Sequence, residues 1–380
     1  MKYRLLNIII SLLLILIVIG SNSSYAIFNI IAFLLFIIVL LLVFKAREEL
    51  FNIFSIFIYL ISFGVLFLLY GPISNIRDFL ITTSMNTMRH QYIAKFFYNE
   101  DTIRNTLDKN FYIESNDEMD NSLINITNSF TYDKNNSFER ELFDNLKETE
   151  DYRIIRFKHK NSNAYLAIIY DPSKIEVALS KYALNSGEYV IDMARRLNAR
   201  VSINGGRFID PAGSSLGGNP EGVTIVNGNI ITDYDCYNLA IVGFNKDGVM
   251  SLHKHKSAKE LLDEGVINAV TSIPILILNG EKTYMEGNGG FGVTARTAIG
   301  QRKDGVVLML VIDTNDLRTG GATISEVADI LYNYGAVNAI ALDGGTSSVM
   351  IEKDKMINTP INASLEHKTR PIPTAIIYKK

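Results

Sequence analysis

The stretch Asn338-Ala339-Ile340-Ala341-Leu342-Asp343-Gly344-Gly345-Thr346-Ser347-Ser348 runs from an apolar segment into a carboxylate, two residues without side-chain bulk, and then hydroxyls. An acid at the end of a buried strand, followed by paired glycines, lets backbone N–H groups approach an anionic or polyhydroxylated ligand. A plain turn is also spelled Asp-Gly-Gly, so the neighbours decide. Upstream, residues 306–312 form a second apolar run. Between the two, Thr323 with Glu326 makes a capping box ahead of Val327, Ile330 and Leu331, and Gly335 supplies the stop. This spacing predicts strand, helix, strand, the βαβ unit of an α/β (mixed α+β) domain. If the two strands are parallel neighbours, Asp313 and Asp343 leave the sheet on one edge, where open α/β sheets bind ligands. Two carboxylates at that separation are the minimum equipment for acid/base work on a glycosidic bond.

Working outward, residues 164–170 and 200–203 read as strands, stopped by Asp171-Pro172 and by Asn204-Gly205-Gly206. Asn227-Gly228 and Asn279-Gly280 predict hairpin turns, because Asn-Gly accepts the positive φ angles of a type I′ turn. Ser257 with Glu260 repeats the capping box, and Gly265 ends that helix. This domain is expected over residues 151–380. Residues 76–150, rich in Asn, Asp, Glu and Ser, read as a stalk or partly helical spacer.

The 48% apolar content of the 380 residues is concentrated at the N-terminus. Residues 5–19, 27–44 and 50–70 are nearly uncharged and about as long as a helix needs to cross ~30 Å of hydrocarbon. They lack the polar face of a soluble helix, so three transmembrane helices are expected within residues 1–75. Lys2 and Arg4 before the first run, with Lys45 and Arg47 between the second and third, predict a cytoplasmic N-terminus. Three crossings of the cell membrane then leave everything after Gly71-Pro72 outside, as an extracytoplasmic, extracellular domain. Arg77 and Arg89 argue mildly the other way. The net charge of −3 is unclustered, and no basic stripe suggests nucleic acid. The single cysteine, Cys236, forms no disulfide within the chain. Nothing in the sequence sets an oligomeric state.

Several residues carry candidate chemistry. Arg296, in Thr294-Ala295-Arg296-Thr297-Ala298-Ile299-Gly300, is a lone guanidinium suited to two-point binding of carboxylate or phosphate; an internal salt bridge to Asp313 or Asp343 is the bland alternative. Asn204 is read as a sugar-binding amide or an Asx-turn cap, and Arg207 as a second cation or a solvated one. His253 and His255 share a strand face but have no third ligand of suitable type nearby, so no metal and no cofactor is expected. Ser347 and Ser348 lack a G-x-S-x-G elbow, which weighs against a serine hydrolase. His367 and Arg370 lie on a segment that would close over the site.

The ordered set Asn204-Gly205-Gly206-Arg207-Phe208, Arg296-Thr297-Ala298-Ile299-Gly300, Gly320-Gly321-Ala322-Thr323-Ile324 with Glu326, Leu342-Asp343-Gly344-Gly345-Thr346-Ser347-Ser348, and Arg370-Pro371-Ile372-Pro373 resembles the phosphodiester glycosidase family. The resemblance spans residues 151–380. It implies a hydrolase that frees a sugar such as N-acetylglucosamine from a sugar-1-phosphodiester, here in cell-envelope or exopolysaccharide material. In that reading Asp343, Asp313 and Arg296 are catalytic. Asn204, Gly205, Gly206, Arg207, Thr297, Gly344, Gly345, Ser347 and Ser348 bind the carbohydrate phosphodiester. The chain departs from the family pattern at Arg207, where Phe is usual, at Thr346, where Gly is usual, and at Thr314-Asn315, where many members have Gly-Arg. Arg318 is a candidate replacement for that missing cation. A non-catalytic polysaccharide-binding or assembly factor, and a phosphodiesterase cutting P–O, remain the alternative functions.

Overall fold

A computed structural model describes residues 2–45, 53–72, 74–86, 90–127, 129–211, 215–235, 239–314, 320–360 and 369–379. Arg47, Arg89, Cys236, Asn315, Asp316, Arg318 and His367 lie outside the described residues. The chain divides into two units, residues 1–111 with 290–292, and residues 112–289 with 293–380.

The first unit is helical. Lys2–Asn22 and Ala26–Lys45 each contain an 18-residue window apolar enough to cross a membrane, Leu5–Asn22 and Ala26–Val43. Ile53–Tyr70 is equally apolar, but it breaks with a 63° bend into Ser74–Met85 and makes a third span only if that bent pair counts as one. Where three crossings were expected, the structure therefore supports two, or at most three. Apolar side chains such as Phe33 and Leu41 point outward from these helices, as lipid-facing residues do. Short polar ties close the unit, including Ser24 Oγ to the Tyr98 carbonyl at 2.8 Å and Tyr98 Oη to that of Leu69 at 3.1 Å.

The second unit is built on three large antiparallel sheets, beside a two-stranded pair of Tyr112–Ile113 with Tyr284–Met285. The largest has seven strands in the order Glu281–Lys282, Ile275–Leu278, Ala336–Ala341, Arg296–Arg302, Val307–Ile312, Ser162–Ile169 and Tyr152–His159. This order corrects the expected parallel neighbours. Val307–Ile312 and Ala336–Ala341 are parallel to each other, but Arg296–Arg302 lies between them, antiparallel to both, with Arg296 opposite Ile312 and Ala298 opposite Ala341. Asp313 and Asp343 still leave by one edge, and the same edge receives the start of the intervening strand, where Arg296 stands.

A five-stranded sheet in the order Lys355–Met356, Met350–Glu352, Val201–Asn204, Thr374–Tyr378 and Ile175–Leu179 carries Asn204 at a strand end. Another holds the Asn227-Gly228 hairpin, whose φ values of 48° and 76° fit the turn read from sequence. Side chains of all three sheets meet in one core, among them Ile299, Met309 and Ile340, Ile203, Ile376 and Tyr378, and Val242, Phe244 and Val270. Val307–Ile312 is buried along its whole length, with Val307, Met309 and Val311 facing that core. That helix starts at the expected capping box of Thr323 and Glu326, packs Val327, Ala328 and Leu331 inward, and stops at Gly335 with φ 85°.

Residues 112–150 are hydrogen-bonded into this unit. Asp120 N–H reaches Asn279 Oδ1 at 2.8 Å, Asn125 N–H reaches the Lys303 carbonyl at 2.8 Å, and Arg153 donates to the carbonyls of Glu141, Leu142 and Asp144.

Thr323→Ala leaves an N-terminal N–H of the crossover helix uncapped, so urea unfolding should show a loss of about 1 kcal/mol. An unchanged midpoint would mean the cap contributes nothing.

Candidate active site

The site is framed by one buried amide. Asn204 is fully buried where Val201–Asn204 ends. Its Nδ2 donates to the Asp343 carbonyl at 2.6 Å, while its Oδ1 accepts from Thr297 Oγ1 at 2.7 Å and from Val349 N–H at 3.1 Å. Asp343 N–H in turn points at the Gly205 carbonyl at 3.4 Å, and Gly345 N–H donates to the Ala295 carbonyl at 2.8 Å. The Asp343 backbone is thus pinned by both sheets. Asn204 and Thr297 spend their polar groups on this frame.

The glycines make the approach possible. A Cβ on Gly205 would strike Thr374, and one on Gly206 would strike the Thr271 carbonyl and sit 2.9 Å from Val270 Cβ. Gly345 has φ 59°, where a side chain is strained.

The Asp343 carboxyl is half-buried. Burial raises its pKa above the usual carboxylate range. A hydrogen bond from the Ser347 hydroxyl and the charges of Arg207 and Arg370 pull it back, and Asp210 adds to the rise. Arg207 pairs through Nε with Glu221 Oε2 at 2.9 Å. Arg370 lies over the Phe208 ring, 4.7 Å from its centroid, and binds Asp210 Oδ2 at 2.7 Å. Burial pushes Asp210 up, but the bonds from Arg370 and Ser215 outweigh it and leave its pKa lowered. Asp343 and Asp210 are therefore driven in opposite directions.

Arg296 stands elsewhere. Only 7% exposed, it donates through Nε to the Ala322 carbonyl at 3.0 Å. A Cβ on Gly344 would lie 3.9 Å from its Nη1, so it backs the Asp-Gly-Gly turn. Burial lowers its pKa to about 10, and the charge raising it back is Glu326, itself bound by Lys160 and by His159 Nε2 at 3.2 Å. Asp313 is fully buried, with its oxygens held by Asn358 Nδ2 at 2.7 Å and Thr359 N–H at 2.7 Å. Asn358 also reaches the Ser348 carbonyl at 3.2 Å, so Asp313 steadies the far end of the Asp343 loop. The structure brings Asp343, Ser347 and Arg207 together with Arg370. It sets Arg296 and Asp313 into the supporting walls, with Ser348 buried beneath. His253 is half-buried against Ser251 Oγ at 2.8 Å, with Glu264 beyond, and desolvation lowers its pKa to about 4.

Reading the sequence missed Asp210, Glu221 and the platform of Phe208. Their signal is weak, since Asp210 and Arg370 are far apart in the chain. Glu221 meets Arg207 through the main-chain pairing of Phe208 with Pro220, which no short motif announces.

Fold and site together define an α+β domain of packed antiparallel sheets, with a glycosidase-type carboxylate and arginine cluster at a strand edge. Residues 197–379 match the phosphodiester glycosidase family. The chain is 28% identical over 209 residues to the SPbeta prophage-derived uncharacterized protein YomE of Bacillus subtilis (strain 168), covering 52% of this chain and 31% of that protein. It is 26% identical over 188 residues to the mouse N-acetylglucosamine-1-phosphodiester alpha-N-acetylglucosaminidase, covering 45% and 35%. The chain thus spans about a third of the length of these relatives. The structure of the zebrafish enzyme's catalytic domain, auto-inhibited by its pro-peptide, superposes with a TM-score of 0.50 at 23% identity, over 63% of this chain and 86% of that one. The fold is shared.

Because Asp343 binds its proton more tightly when folded, its contribution to stability falls as pH rises from its unfolded value through its raised folded value. Asp343→Asn should therefore raise Tm at pH 7, and the gain should vanish below about pH 3.9. Calorimetry at the two pH values reads this out, and a lower Tm at pH 7 would contradict it. Arg207→Gln removes a charge that lowers Asp343, so the carboxyl should titrate at higher pH in carbon-13 NMR; no shift would separate Arg207 from the site.

Proposed function

We propose that the domain hydrolyses a sugar-1-phosphodiester, such as an N-acetylglucosamine-1-phospho linkage, in cell-envelope or exopolysaccharide material. The observation that carries this is Asp343, half-buried with a raised pKa, set on a rigid frame and acted on by the charges of Arg207 and Arg370. A protonated carboxyl there donates to the phosphate oxygen leaving C1, while Arg207 and Arg370 hold the non-bridging oxygens in two-point fashion. Their present partners, Glu221 and Asp210, yield as the phosphate arrives. Asp210, still bonded by the Ser215 N–H at 2.8 Å, serves as the second carboxylate that orients water. Arg296 and Asp313 act by positioning, through the Gly344 turn and through Asn358. The match of residues 197–379 to the phosphodiester glycosidase family supports cleavage of C–O, and the relatives named for that activity support the sugar. The chain's own departures at Arg207 and Thr346 bear on the aglycone.

We further propose a multi-pass membrane protein with a cytoplasmic N-terminus and an extracellular domain. Lys2 and Arg4 before the first apolar helix support the orientation. An outside domain then requires the bent third helix to complete a crossing, since two crossings would return the chain to the side it started from.

The test is release of reducing sugar from N-acetylglucosamine-1-phosphate methyl ester in oxygen-18 water. The label should enter the sugar, and Asp343→Asn should lose about 10²–10⁴ in kcat. Label in phosphate would mark a phosphodiesterase, and affinity for the glycan without turnover a binding or assembly factor. Either result would overturn the proposal.

A further inference from the structure

Resting on that reading, we propose that the second ester of the substrate carries a long hydrocarbon, so that the site takes an amphiphilic sugar phosphate drawn from a bilayer. Among the described residues between 151 and 379, ten large apolar side chains are exposed, and five of them, Tyr182, Leu184, Tyr189, Ile209 and Leu216, fall within residues 182–216. Leu216 is 70% exposed and Leu184 49%. Such clustering on a folded domain marks a surface that meets something apolar.

Main-chain hydrogen bonds bring the segments of Leu184, Leu216 and Ile209 side by side. Leu184 N–H donates to the Gly218 carbonyl at 2.9 Å, Gly187 N–H to that of Leu216 at 2.7 Å, and Ile209 N–H to that of Asn219 at 2.9 Å. The surface is continuous with the site. Ile209 directly precedes Asp210, the partner of Arg370, and Glu188 exchanges N–H to carbonyl bonds of 3.0 Å with Ile372, two residues beyond Arg370. A phosphate held by Arg370 therefore has its outward ester oxygen beside aliphatic side chains.

The chemistry of the surface selects the occupant. Leu184, Ile209 and Leu216 offer nothing to a sugar hydroxyl, whereas a hydrocarbon gains by covering them. The same chain has two helices apolar enough to cross a membrane, which would keep the enzyme where such lipids reside. Hydrolysis breaks the C1–O bond: hydroxide from water joins C1, the remaining proton goes to the released phosphate, and the hydrocarbon leaves as an intact phosphomonoester.

Full-length chain in lipid nanodiscs would be assayed on the methyl and farnesyl esters of N-acetylglucosamine-1-phosphate. The expected kcat/KM for the farnesyl ester is at least about tenfold higher, equivalent to about 1.4 kcal/mol. In the exposed double variant Leu184→Ser/Leu216→Ser, in identical discs, this advantage should fall to about twofold while methyl ester turnover is unchanged. Methyl ester turnover with no farnesyl advantage, or an advantage that survives the double variant, overturns the hydrocarbon and leaves the glycosidase standing. Cleavage of neither ester overturns the glycosidase itself, and the hydrocarbon with it.

Discussion

The amide of Asn204 is the point on which the architecture of the site turns. It joins the end of one strand to the backbone of Asp343, to the Thr297 hydroxyl and to the first residue beyond the Asp343 loop. Each partner is a buried polar group that would otherwise lose its water without replacement, at about 1–3 kcal/mol apiece. The bonds are satisfied only when the seven-stranded and five-stranded sheets approach at one separation. The paired glycines at 205 and 206 permit that approach, because any side chain there would collide with Thr374 or Thr271.

From this frame follows the distribution of charge. Asp343 is fixed where water is partly excluded, so it resists ionisation, and the cations that moderate it come from loops of the five-stranded sheet. Arg296 reaches the same edge from the opposite side of the Asp-Gly-Gly turn and answers to Glu326 at the start of the crossover helix. One turn therefore has a working face and a supporting face.

The elements whose determinants are local were legible in the sequence. Both capping boxes, the Asn-Gly turns and the glycine stops follow from side-chain chemistry within a few residues. Strand order was not legible, because insertion of Arg296–Arg302 between the two expected neighbours is decided by long-range packing. The same reason hid the pairing of Arg370 with Asp210 and of Arg207 with Glu221, and it explains why Arg296, the most conspicuous cation in the sequence, pairs behind the turn. Asp343, Ser347, Arg207 and Asn204 were singled out as candidates by paired glycines at strand ends and by the family resemblance; the Asn204 amide serves the frame where a sugar contact was one of the two expectations.

The most direct measurement is a crystal structure of Asp343→Asn with a bound sugar-1-phosphodiester. The account requires the anomeric carbon about 3–3.5 Å from the residue 343 side chain or its bridging water, with phosphate oxygens on Arg207 and Arg370. A phosphate seated on Arg296, with the sugar on the far side of the Gly344 turn, would contradict it.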